Sequence, residues 1–229
     1  HASLGLELFG GPARMSDAAE LRAFSIVDQL QPQLASFIAA SCTGFLPLEG
    51  DTALLVEVSP GIAVNILLDR ILKATTCRPG MLVVERAYGL LQVHAGDQGQ
   101  VREAGRVALE HLGLDSLSAL RPAIVSSQTI FGTDNHQSNV INRLSHGQYL
   151  FENDAFHILE VHPAAYAAVA ANQAEKVAPV RILEVEMFGA YGRVYLGGPE
   201  DNIREAADAM RRTIEAIPGR PNNLKSLLY

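Results

Sequence analysis

Two histidines, His157 and His162, bracket the stretch HILEVH. Paired imidazoles often begin a zinc site, but residues five apart on a strand project from opposite faces, so one ion could not take both. One is expected to be satisfied in the core, and the other to sit where the next helix begins. DNHQS, Asp134 to Ser138, sets a histidine beside an acid and a hydroxyl. No serine or cysteine has a nucleophile's setting, so this stretch reads as a loop or helix cap. Glu57 and Glu160 have the chemistry of an acid–base pair, yet each ends the same kind of strand in its own half of the chain. Gly-rich phosphate loops, H-E-x-x-H and paired C-x-x-C are missing from the sequence. The expectation is a chain without catalytic residue, metal or cofactor.

Other charges are harder to dismiss. Lys73 and Lys176 close two equivalent amphipathic helices, where a cation gains a few tenths to about 1 kcal/mol against the helix dipole. That does not explain why both are kept while their neighbours differ. Glu85 and Arg86 interrupt VVERAYG, Val83 to Gly89. Taken alone they are a solvated pair worth about 0–1 kcal/mol.

The elements that must position these residues come from a chain of 229 residues, 48% hydrophobic and 19% charged, ample for a core. A net charge of −7 opposes binding to nucleic acid or to an anionic membrane. No apolar stretch approaches the length that spans a bilayer, and LGLELFGG lacks the long apolar core of a signal peptide. Cys42 and Cys77 are expected as buried thiols of a cytoplasmic protein.

One register runs through the chain without gaps. Gly44, Glu49, Asp51, Glu57, Val58, Pro60, Lys73, Arg78, Ala87, Tyr88 and Gly89 reappear as Gly147, Glu152, Asp154, Glu160, Val161, Pro163, Lys176, Arg181, Ala190, Tyr191 and Gly192, always at one separation (160 − 57 = 103). VREA at 101–104 then matches IREA at 203–206, one residue closer. Two homologous domains follow, expected at 21–115 and 116–217, with variable tails at 1–20 and 218–229. In each copy a strand (LRAFSIVD, AIVSSQTIF) precedes a Gln-containing helix (QPQLASFIAAS, DNHQSNVINRLS). A second strand stops at Pro60 or Pro163, placed to open the first turn of a helix, where a missing N–H costs nothing. A strand, a tight glycine corner, a partner strand and a closing helix complete the copy. This is an α+β architecture, antiparallel strands with helices on one face.

The order of these parts resembles the shell proteins of bacterial microcompartments. LLVEVSPGIAVNILLDRILKAT and HILEVHPAAYAAVAANQAEKVA match that family's strand-to-helix segment, and GRVYLGGPEDNIREAADAM its closing strand and helix. The strand usually found at the end of the domain stands first here, so the chain resembles the circularly permuted, tandem-domain subclass. VVERAYG with LQPQL, GFLPLEGD and AANQAEK is most similar to the gated trimers of carboxysome shells and their relatives. The likeness covers residues 21–217.

The resemblance implies a homotrimeric, pseudohexameric tile in the shell of a cytoplasmic microcompartment, with two such trimers stacked in some members. It implies hexameric and pentameric shell proteins as neighbours and small metabolites as traffic. Glu85, Arg86 and Ala87 from one corner, with Phe188, Gly189 and Ala190 from the other, would line a central pore. Lys73, Lys176, Gln31 and His136 would make contacts at the tile edge. Pairing of Glu85 with a neighbour's Arg86 would close the pore, and an outward swing of the corner, eased by Gly89, would open it. Neither cysteine lies at a corner, so the iron–sulfur cluster of some relatives is not expected. A different class of function, a free-standing oligomeric small-molecule sensor, would use the same duplicated fold. Tiling would separate the two.

Overall fold

Alternating apolar residues build two antiparallel sheets in the computed structural model, which describes residues 19–223. The first comprises β1 (Glu20–Val27), β2 (Thr52–Ser59), β3 (Arg78–Glu85) and β4 (Tyr88–Ala95), in the spatial order β1-β2-β4-β3. β5 (Ala123–Ile130), β6 (Ala155–His162), β7 (Arg181–Glu186) and β8 (Gly192–Gly198) repeat that order as β5-β6-β8-β7. Even the irregularities recur. A bulge falls at Arg22 in the first copy and at Val125 in the second. The expected N-terminal tail lies almost wholly outside the described residues.

Six helices alternate with the strands: α1 (Pro32–Ser41), α2 (Val64–Ala74), α3 (Gln98–Leu112), α4 (Asn135–Leu144), α5 (Tyr166–Val177) and α6 (Glu200–Ala216). Their ends follow ordinary capping chemistry. Asp97 accepts the N–H of Gly99 at the start of α3, and Gly113 ends that helix at φ 67°. Asp134 caps α4 through the N–H of His136, which makes DNHQS a helix start. The prolines act differently from expectation. Pro60 and Pro163 follow cis peptide bonds, and a short 3₁₀ turn or bend separates each from its helix, which begins only at Val64 or Tyr166.

Leu54, Val56 and Val58 of β2 pack against α2 and α3 in one core. Ala53 and Leu55 point the other way, as strand alternation requires, and meet α1. The helices therefore take both faces, a departure from the one-sided arrangement expected. α1 does more than cover its own sheet. Leu34, Ala35, Phe37 and Ile38 join a continuous core with the alanine-rich α5 and with α6 and β7 of the second copy. The last described residues also join in: Arg220 exchanges main-chain hydrogen bonds with Ala119 and Arg121, and its guanidinium pairs with Glu20.

Candidate functional site at the paired corners

The two corners lie at corresponding ends of the two sheets. β3 and β4 are joined by Arg86 and Ala87 alone, with Glu85 opposite Tyr88. A two-residue hairpin of this hand needs a positive φ at its first turn position. Arg86 supplies it at φ 52°, a region that L side chains usually avoid. The equivalent position in the second copy is Gly189, at φ 99°. The second corner is the more open of the two, five residues between β7 and β8 where the first has two, yet a positive φ is kept at the equivalent position. The conformational freedom of the corner thus belongs to positions 86 and 189, and Gly89 has another task. A Cβ on Gly89 would collide with the carbonyl of Gly61, and one on Gly192 with that of Ala164. These glycines let each corner press against the short turn that leads into α2 or α5.

The corners also touch each other. A side chain begun at Gly189 would place its Cβ 3.3 Å from Glu85 Oε2. Glu85 is half-buried, while Arg86 and Ala87 are exposed, and neither charge has an ion-pair partner among the described residues. The second corner is better held by its own chain. Met187 is buried, Phe188 packs at the margin of the large core, and Ala190 is exposed. Val84, the counterpart of Met187, is exposed.

Beneath the corners runs a buried polar network that crosses from one copy to the other. Arg22 donates from Nε to Glu57 Oε1 at 2.7 Å and from NH2 to His162 Nε2 at 2.9 Å. The second oxygen of Glu57 accepts the main-chain N–H of Ala165 at 3.0 Å. With Nε2 accepting, His162 donates from Nδ1 to Asn222 Oδ1 at 3.1 Å. Burial brings this imidazole down to about 4, and the positive charge of Arg22 pushes the same way. Burial raises the Glu57 carboxyl, while Arg22 and the amide of Ala165 pull against it. Both corner tyrosines rest on the network. The Arg22 guanidinium lies 3.6 Å from the centroid of the Tyr88 ring, and His162 meets Tyr191 edge-on at 6.1 Å. His162 was expected at a helix start and His157 in the core. Both are buried, His157 bonded to Thr129 Oγ1 at 2.8 Å.

Glu57 and Glu160, one residue type at one strand position, have diverged in use. Val125 replaces Arg22, and Glu160 pairs instead with Arg193 at 2.7 Å, which also reaches Glu186 at 3.0 Å. The sequence reading missed the Arg22 network. A single arginine among the apolar residues of LRAFSIV was the available signal, since a buried guanidinium requires a carboxylate nearby.

The residues expected at a tile edge separate into two settings. Lys73 is exposed and bonds Asp69 one turn back at 2.7 Å, and His136 is exposed on α4. Gln31 and Lys176 lie along the seam between the copies. The Gln31 N–H donates to Asn172 Oδ1 at 2.9 Å, while Lys176 borders a polar cleft of about 430 Å³ with Asp28, Gln29 and Gln173. Gln33 completes the seam, its N–H on Glu175 and its amide bonded to the main chain at Val180 and Ile182.

Half of this seam is repeated with nothing against it. Ala165 and Phe37 are 0% and 7% exposed inside the chain, whereas their counterparts 103 positions earlier and later, Ile62 and Val140, are 56% and 57% exposed. Leu144 and Leu72 add to the same two open surfaces, beside the small separate cluster under α4.

Comparison with known proteins fits this arrangement. A family model described as the CsoS1D N-terminal domain matches residues 21–118. The carboxysome shell protein CcmP of Synechococcus elongatus is 49% identical over 201 residues, spanning 88% of this chain and 94% of CcmP. CsoS1D of Hydrogenovibrio crunogenus is 40% identical over 202 residues, spanning 88% and 98%. Among solved structures, the fused permuted hexameric shell protein MSM0275 of the RMM microcompartment superposes with a TM-score of 0.84 at 39% identity, over 86% of this chain and 99% of that one. The double-ringed trimeric shell protein MSM0271 of the same microcompartment gives 0.86 at 35%, over 89% and 100%. The chain belongs to the circularly permuted, tandem-domain shell proteins of bacterial microcompartments, and its role is that of a structural shell component.

Proposed function

We propose that three copies close into a pseudohexameric tile of a carboxysome-type shell, with the paired corners around a gated central pore. The observation that carries this reading is the open seam. α1 docks on α5 inside the chain, while α4 and α2, which correspond to them, present matching apolar surfaces that remain open. Surfaces that fit head to tail build a ring when the rotation closes. The two repeats, 21–115 and 116–217, then alternate around the axis as the domains of the tile. Lys73 and His136 come to the seam between subunits as their counterparts Lys176 and Gln33 come to the seam within the chain, with both lysines exposed toward hexameric and pentameric neighbours.

Threefold symmetry brings the Glu85 and Arg86 side chains of different subunits together. Opposite charges 4 Å apart attract by about 1 kcal/mol in water and several-fold more where water is scarce. Pairing between subunits narrows the pore, and withdrawal of the corner leaves an opening edged by charge, wide enough for a metabolite. The protein acts as a passage and performs no reaction. Two tiles stacked face to face would enclose a chamber between two such gates, an arrangement in keeping with a relative described as double-ringed. Electron microscopy of the purified protein tests the assembly: hexagonal particles with a central pore are expected, and discrete oligomers without one would overturn it. In the same maps Glu85→Ala is expected to abolish the narrow pore. A pore unchanged by that substitution removes the gate.

A further inference from the structure

We propose that Gly189 is a resting seat for the Glu85 side chain of its own chain, so that the gate is a choice between two berths for one carboxylate. The inference rests on the gated-pore reading above. In one berth Glu85 reaches a neighbouring subunit's Arg86 and narrows the pore. In the other it folds back over Gly189, as in this structure, and leaves the axis.

Three observations meet at this point. A Cβ at residue 189 would lie 3.3 Å from Glu85 Oε2, closer than ordinary van der Waals contact, so the seat exists because residue 189 has no side chain. At φ 99° the position also favours glycine on backbone grounds. The seat is firm: Met187 is 1% exposed and Phe188 packs on the core, which anchors both residues before Gly189. Glu85, in contrast, has no ion pair or hydrogen bond among the described residues to hold it where it lies. A carboxylate against a firm surface, held by no other group of its own chain, can leave at little cost to that chain. The absence of charge from the second corner thereby acquires a reason. An acid at residue 189 would repel Glu85 and a base would capture it, and either would fix the gate in one position.

The test uses single-particle cryo-electron microscopy of the intact tile, sorting pores into wide and narrow classes and locating Glu85 in each. Gly189→Ala crowds the seat and is expected to shift the ratio toward the narrow class by about tenfold. Gly189→Asn, which tolerates a positive φ better, should do the same and guards against a corner that refolds. The decisive comparison is the Glu85→Ala background. There Gly189→Ala should leave the pore unchanged, because no carboxylate remains to be displaced. An equal change in both backgrounds would assign the effect to backbone strain and overturn the proposal, as would an unaltered ratio in both single Gly189 variants. A wild-type tile with one pore width removes the gate, yet Glu85 lying on Gly189 in that map would still support the seat. Glu85 found elsewhere in every class would remove the seat and leave the gate standing.

Discussion

Arg86 carries a cost that its neighbours do not. A left-handed backbone at a residue with a Cβ is disfavoured by roughly 1–2 kcal/mol, partly offset in a comparison with glycine by the latter's greater freedom when unfolded. Arg86→Gly is therefore expected to raise stability by up to about 1 kcal/mol, seen as a higher urea midpoint, while removing the positive partner from the proposed gate. A lower midpoint would show that the arginine side chain contributes contacts of its own. Gly89→Ala should act in the opposite direction. Its Cβ would collide with the Gly61 carbonyl, and such overpacking costs typically 1–3 kcal/mol. These two residues lie three apart and show how differently a corner can constrain its sequence. One position is strained for the side chain it carries, and the other is closed to any side chain at all.

At the scale of elements, the seams decide behaviour. Val140→Asp on α4, or Ile62→Asp before α2, places a charge on a surface that is exposed in the single chain, so the fold should persist. Either substitution is expected to return the protein to monomers with circular dichroism unchanged, measured by light scattering. A trimer that survives both would move the ring contact elsewhere. Inside the chain the corresponding surface depends on the Arg22–Glu57 pair. Glu57→Ala strands a buried guanidinium, with an expected loss of about 3–5 kcal/mol in denaturant unfolding. Much of this was legible in advance. Strand alternation, the repeated proline and glycine positions and the constant offset of 103 gave both sheets, the order of the elements and the corners. Periodicity reports which face of an element is apolar and is silent about which element covers it. For that reason α1 was not foreseen as the bridge to the second copy, nor Gln31 and Lys176 as seam residues. The strain at Arg86 was less legible, since its sign of φ follows from hairpin length and the one residue that signals it is the aligned Gly189 of the other copy.

The whole molecule should respond to acid through its buried histidines. His157 and His162 are held neutral, both lowered from 6.5 to about 4, His157 by burial alone. Unfolded, they take up protons near 6.5, so the unfolded state binds more protons and gains on the folded one as pH falls. Stability is accordingly expected to decline from pH 6.5 to about 4 and to lose its histidine dependence below that. Urea midpoints across this window should be flatter in His157→Gln. An equally steep decline in that variant would mean that carboxylates dominate.

The seam between the copies has a consequence for assembly that concerns numbers of molecules more than contacts. In the proposed ring, joining two repeats on one chain makes every second joint permanent, so it forms at the local concentration set by the polypeptide and survives any dilution. Only the remaining joints obey mass action. A ring of separate single-repeat chains would dissociate with the sixth power of monomer concentration, whereas a ring of fused pairs does so with the third. A fused tile would thus hold together at lower concentration than a ring of separate repeats, and its two unlike corners would enter each ring in strict alternation.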